Sequence, residues 1–314
     1  MPRPRKSLIN YSDTPYYHCV SRCVRRAFLC GYDEPNQKSY EHRRQWVEDR
    51  LLFLAEVFCI DVCAYAVMSN HTHVVLRINK QKAEKLTTKD ILVRWHKLYK
   101  GQLLSRRFLE PAERVDLSEA QISTVLELAE VYRRRLFDIS WFMRLLNEYI
   151  ARRANKEDDC TGHFWEGRFK SQALLDEAAL AACMTYVDLN PVRAGLASSP
   201  DESSHTSIKK RIEARKYREQ PQHLLPLCDS NKREPADELP FKIEDYLSLV
   251  EYSCQYFQGA RQQNMRCLIN PIIAKTGLGE AEWKALACGI EQNFRSSISQ
   301  RKLTAKLKYC ANDI

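Results

Sequence analysis

Ile60-Asp61-Val62-Cys63-Ala64-Tyr65-Ala66-Val67-Met68-Ser69-Asn70-His71-Thr72-His73-Val74-Val75-Leu76-Arg77-Ile78 reads as two strands joined by a tight connection. Residues 60–67 are β-branched, aromatic or small, and 71–78 carry Val74, Val75, Leu76 and Ile78. Met68-Ser69-Asn70 is too short for anything but a turn, so the pair is an antiparallel hairpin. In a strand, residues i and i+2 leave from one face, which places His71 and His73 side by side. Two imidazoles so placed can bind one divalent cation, and a cation there is a Lewis acid for a phosphate oxygen. The plainer reading is a strand histidine that only makes hydrogen bonds. Two ligands do not complete a metal site, so a third donor must come from elsewhere.

Working outward, 16–24 (Tyr-Tyr-His-Cys-Val-Ser-Arg-Cys-Val) is rich in β-formers and reads as a strand closed by Arg25 and Arg26. Across 41–58, Trp46, Leu51, Leu54 and Val57 recur as a helical stripe. The stretch 79–138 has little β character and reads as a helical insertion, with segments at 91–104 and 118–137. In 139–155, Trp141, Phe142, Leu145, Leu146, Tyr149 and Ile150 mark one helix face against Arg144, Glu148, Arg152 and Arg153. Residues 169–175 suit a fourth strand. Residues 176–189 suit a helix N-capped by Asp176, which must end by Asn190 because Pro191 disfavours helical geometry in the residue before it. The Ser/Pro/Asp-rich 198–207 is a linker candidate, and mostly helical segments follow. The expected class is α+β, with a first domain at 1–200 and a helical extension at 201–314 that is a candidate for DNA binding.

The chain has 314 residues, 44% hydrophobic and 28% charged, with a net charge of +9, a globular composition with a lean toward polyanionic partners. No apolar run is long enough to span a membrane, and the basic 1–6 segment is not followed by an apolar stretch, so the expectation is a cytoplasmic protein without a membrane partner. The 12 cysteines are scattered with no two-residue gap, which fits buried small hydrophobes better than a zinc site.

Tyr186 and Asn190 are four apart and share a helix face. A phenol has a pKa near 10; a nearby cation favours the phenolate and activates it. Phenolate also leaves more readily than an alkoxide, so a phosphotyrosine bond stays reactive and a second DNA end can displace the tyrosine without ATP. Against this, any one of 15 tyrosines can be a plain helix-face aromatic, and Asn190 can be a helix cap before proline.

Four blocks in order carry a resemblance. Asn70-His71-Thr72-His73-Val74-Val75 resembles the His-hydrophobe-His strand of the IS200/IS605-like Y1 transposases of the HUH type. Gly162-His163-Phe164-Trp165-Glu166-Gly167-Arg168-Phe169-Lys170-Ser171 resembles the Gly-His-Leu-Trp-Gln-Gly-Arg-Phe-Lys segment of their REP-associated branch. The block from Tyr186 to Gly195 is similar to that branch's Tyr-x-x-x-Asn-Pro-Val-Arg-Ala-Gly, and residues 16–22 are similar to its opening strand. The resemblance covers about 12–78 and 139–200. It implies a ferredoxin-like antiparallel sheet with helices on one face and a single-stranded DNA endonuclease and strand transferase acting near hairpins. It further implies Mg²⁺ or Mn²⁺ on His71 and His73 with Asn190 as third ligand, and Tyr186 as the nucleophile that leaves a 5′-phosphotyrosine. Thr72 stands where the family usually has a bulky hydrophobe, and a β-branched residue suits a strand. Monomers and homodimers both occur among such proteins.

Trp165, Arg168, Phe169 and Lys170 alternate aromatic and basic side chains, a pattern that holds single strands by stacking and by phosphate contacts. Arg22 and Arg193 are further candidate phosphate contacts; Trp165 and Phe169 have a competing reading as core. Arg295, Arg301, Lys302, Lys306 and Lys308 are either a duplex clamp or a solvated face. Two other functions compete: a domesticated nucleic-acid-binding protein that does not cleave, and a two-histidine phosphodiesterase. The second needs two His-x-Thr pairs, where this chain has a single His-x-His.

Overall fold

The computed structural model describes residues 9–10, 12–24, 28–228, 237–257, 270–288, 290, 296–299 and 301. Arg25, Arg26, the basic 1–6 segment, Arg295, Lys302, Lys306 and Lys308 lie outside the described residues.

The elements run β1 (Tyr16–Arg22), β2 (Tyr32–Asp33), β3 (Lys38–Ser39), α1 (Arg43–Val57), β4 (Ile60–Val67), β5 (His71–Ile78), α2 (Lys80–Lys85), α3 (Thr88–His96), α4 (Leu103–Leu109), α5 (Pro111–Arg114), α6 (Glu119–Leu136) and α7 (Ile139–Glu157). They continue with β6 (Lys170–Leu174), α8 (Glu177–Asp188), α9 (Asn190–Arg193), α10 (Ser207–Lys216), β7 (Leu227–Cys228), β8 (Leu239–Lys242), α11 (Ile243–Phe257), α12 (Pro271–Thr276), α13 (Glu280–Cys288) and β9 (Ser297–Ile298).

The main sheet has the order β4-β5-β1-β6-β9. β5 pairs antiparallel with both β4 and β1, and β1 pairs antiparallel with β6. With α1 connecting β1 to β4 and α7 leading into β6, the first four strands have the ferredoxin-like order. The sheet is nevertheless mixed, because β9 from the C-terminal extension adds two residues parallel to β6.

The helices are not confined to one face. Tyr17, Cys19, Val74 and Leu76 face α1 and α7, through Leu51, Leu54, Phe142 and Leu146. Ala64, Ala66 and Val75 on the other face meet α8 and the extension, including Tyr246, Leu249 and Trp283. The cause is in the strands: both alternating sets of side chains in β4 and β5 are apolar enough to be buried, as expected of strands covered on both sides. α8 follows the same logic. Its sequence, Glu-Ala-Ala-Leu-Ala-Ala-Cys-Met-Thr-Tyr-Val-Asp, has no polar stripe, and Ala178 through Asp188 are all buried, which makes it a helix wrapped by protein on every side. Asp176 caps it by accepting from the Ala179 N–H at 2.8 Å.

The insertion is helical as read, but 91–104 is not continuous. α3 stops at His96, and the chain turns at Gly101 with φ +77° before α4 begins. Segment 198–207 lies against the outer strand: the Val67 N–H donates to the His205 carbonyl at 3.2 Å, and the Ser207 hydroxyl accepts from the Tyr65 N–H at 2.9 Å. Among the described residues no helix is long and apolar enough to cross a membrane.

Candidate active site

The sheet register assembles the site. Opposite residues of an antiparallel pair share a face, and the pairs Arg22–His71, Val20–His73 and His18–Val75 join β1 to β5, while His18–Gln172 and Val20–Lys170 join β1 to β6. Arg22, His18, His71, His73, Lys170 and Gln172 therefore leave the sheet on the side covered by α8.

The imidazoles of His71 and His73 meet edge to face with centroids 4.7 Å apart. His18 is a third imidazole, which the sequence did not single out. It lies nearly coplanar with His73, ring centroids 5.2 Å apart and planes 8° from parallel, with Nε2 3.0 Å from Nδ1 of His73 and Nδ1 2.8 Å from Oε1 of Gln172. Nδ1 of His71 donates to Oδ1 of Asn70 at 2.5 Å. Burial, with Arg22 and His18 adding to it, pushes the His71 pKa down to about 4. Burial likewise holds His73 well below the usual imidazole range, reinforced by His18, His71, Arg22 and Arg193. Both rings are neutral at pH 7, the state in which an imidazole nitrogen offers a lone pair.

Tyr186 stands over this cluster. Its ring is edge-on to His73 with centroids 5.6 Å apart, and to His18 at 6.2 Å. The Arg193 guanidinium carbon lies 4.4 Å from the centroid of the same ring, a cation–π distance. The ring is 7% exposed. Asn190, first residue of α9, is buried one turn beyond Tyr186. Beside the cluster, a cavity of about 550 Å³ is lined by Arg22, Asn70, His71, Glu166, Ala194 and Leu196 among others. Tyr186 and His73 are not among its lining residues.

Of the candidate DNA contacts, Arg22, Arg168, Lys170 and Arg193 are exposed. Trp165 is set apart from them. It bridges to Cys23 at the end of β1, packs edge-on against Phe164 at 5.1 Å, and its indole N–H donates to the Asn147 carbonyl at 2.9 Å. Phe169 is buried in the same core as Phe164. Both aromatics are thus built into the layer of α1 and α7, with part of the Trp165 ring still reachable.

Among the described residues no group of three His, Cys, Asp or Glu side chains is arranged to hold a metal ion. A two-imidazole site here would need a donor of another type. Most of the described cysteines are buried, which fits small apolar filling.

No protein-family model matches the chain, and no curated protein matches it. A solved structure of a REP-associated tyrosine transposase bound to a REP hairpin is similar over 76% of this chain and 98% of that chain, at 13% identity and a TM-score of 0.39. At that identity and score the likeness carries no chemistry across, and the site stands on its own residues.

One further group was not legible beforehand. Asp188, two residues after Tyr186, is fully buried and accepts from the hydroxyls of Ser207 and Tyr246 (2.5 Å) and from the Ile208 N–H (3.0 Å). Burial pushes its pKa up to about 6, although these bonds and Arg211 act in the opposite direction. It fastens α8 to α10 and α11.

Proposed function

We propose that this protein nicks and rejoins single-stranded DNA, with Tyr186 as the nucleophile, acting near hairpins. The observation that carries this reading is the placement of the Tyr186 ring, 5.6 Å from that of His73, over the sheet face that also bears His71. The sequence blocks around these three residues support it.

The donor types suit a divalent cation: two neutral imidazoles, with the Asn190 carboxamide on the turn after Tyr186 as the candidate third donor, and exposed cations for the flanking phosphates. Mg²⁺ or Mn²⁺ held by His71, His73 and Asn190 would supply Lewis-acid stabilisation of charge on a phosphate oxygen. The protein's own groups do the rest. Arg22, Lys170 and Arg168 bind backbone phosphates and fix the strand's register. The Tyr186 oxygen bonds to phosphorus, the bond from phosphorus to the 3′ oxygen breaks, and the phenolic proton is transferred so that the leaving 3′ oxygen ends as a hydroxyl. Arg193, over the tyrosine ring, offers positive charge where the phenolate forms. Attack by a 3′ hydroxyl on the phosphotyrosine reverses these steps and releases the phenol.

A second reading, hairpin binding without cleavage, is favoured by one observation: Tyr186 is nearly buried and does not line the cavity beside His71. One experiment separates the two. Protein is incubated with Mn²⁺ and a labelled hairpin bearing a single-stranded flank, then denatured and run on a gel. A labelled band at protein mass, absent with Tyr186→Phe and with chelator, supports strand transfer. Tight binding with no such band under any condition supports the second reading.

A further inference from the structure

We propose that His18 and Gln172 are positioning residues that set which nitrogen of His73 carries the proton, and that they take this instruction from the C-terminal extension. The inference rests on the metal-dependent reading above and deepens it.

The chain of bonds has one consistent direction. Gln172 Nε2 donates to the Ile290 carbonyl at 3.4 Å, which orients the amide so that Oε1 faces His18. Oε1 can only accept, so His18 carries its proton on Nδ1 and donates across 2.8 Å. Both imidazoles are fully buried, where an uncompensated charge is costly, so the relay runs between neutral rings. His18 Nε2 is then an acceptor, and the 3.0 Å contact is a donation from Nδ1–H of His73. A neutral imidazole protonated on Nδ1 bears its lone pair on Nε2. Each step fixes the next, and the last one presents Nε2 of His73 as the ligating atom.

The near-coplanarity of His18 and His73, 8° from parallel, is what an in-plane bond between two imidazoles requires, and it serves the same end by holding the ring plane. Hydrogen-bond partners behind a metal-binding histidine ordinarily fix its tautomer and orientation. Here the partner is a second imidazole backed by a carboxamide on the neighbouring strand. The final anchor, Ile290, lies more than 100 residues further along the chain, in the extension.

The test uses the full chain, labelled with ¹⁵N-histidine, and reads nitrogen shifts by NMR without metal; Mn²⁺ affinity is measured separately by calorimetry. The expected result is a pyridine-type Nε2 and a protonated Nδ1 in His73. Gln172→Met and His18→Phe should each move His73 toward a mixture of tautomers and weaken Mn²⁺ binding by about 10–100-fold, with metal-free hairpin binding retained. A wild-type His73 protonated on Nε2 overturns the proposal, and this needs no variant to fold. So does Gln172→Met with the parent's tautomer and Mn²⁺ affinity. A wild-type protein with the expected tautomer that binds no Mn²⁺ supports the relay and overturns the metal reading instead.

Discussion

Asp188→Ala is the substitution whose cost the structure defines most fully. The carboxylate is completely buried and accepts three hydrogen bonds, from Ser207, Tyr246 and the Ile208 N–H. It also sits in the field of Arg211, a fully buried guanidinium whose Nη2 donates to the Cys63 and Leu225 carbonyls at 2.9 Å, while its Nε and Nη1 have no hydrogen-bond partner among the described residues. Alanine would strand these donors and leave Arg211 as a buried charge. Removing one partner from such a set costs about 3–5 kcal/mol. That corresponds to a midpoint about 10 °C lower for a domain of this size. The assay is urea unfolding at pH 7 by circular dichroism, with thermal melts alongside. The pH dependence supplies a second arm. The folded pKa of Asp188, about 6, is raised above the ordinary carboxyl value. The proton-linked part of this residue's contribution is therefore fully present below about pH 4 and is lost as pH rises through 6, an effect of about 3 kcal/mol that is separate from the hydrogen-bond loss read at pH 7. Asp188→Asn, which cannot titrate, should flatten that part of the stability profile. Asp188→Ala within about 1 kcal/mol of the parent, or an unchanged pH profile in Asp188→Asn, would refute the reasoning.

Two further outcomes follow from the geometry. Arg22→Ala and Lys170→Ala should each weaken hairpin binding and reduce the slope of log affinity against log salt by about 0.7 if each cation meets one phosphate; fluorescence anisotropy across a salt series checks this, and unchanged slopes would remove both residues from the DNA path. Gly101→Ala should lower stability by about 2 kcal/mol with DNA binding kept, because φ is +77° and the new Cβ would lie 2.3 Å from Nε2 of His96, as thermal melts will show.

The hairpin at 60–78 and the helix carrying Tyr186 were legible because their signals are local: alternation, a three-residue turn, an Asp cap and a proline stop. The break at Gly101 was not, since helix-forming residues continue on both sides of it and the left-handed backbone is fixed by packing. The covered second face was hidden for a different reason. Of the residues that close it, Leu227 and Trp283 sit in short segments, and the buried stripe of α11 (Tyr246, Leu249, Val250, Cys254) marks an amphipathic helix without saying which sheet face it covers. His18 was quoted within its strand without being given a role, because its partners His73 and Gln172 are 55 and 154 positions away and only the sheet register brings them together. Trp165 was the ambiguous case, since an aromatic between cations looks the same in sequence whether it meets a base or a core.

The outer strand β4 is spoken for by its own chain. Its main-chain groups at Val62, Tyr65 and Val67 bond to Leu225, Ser207 and His205 respectively. A sheet whose margin is already stitched down offers no template for another copy to extend. Any pairing of two such molecules along this flank has to use side chains, and loss of residues 205–225 would turn it into an adhesive one.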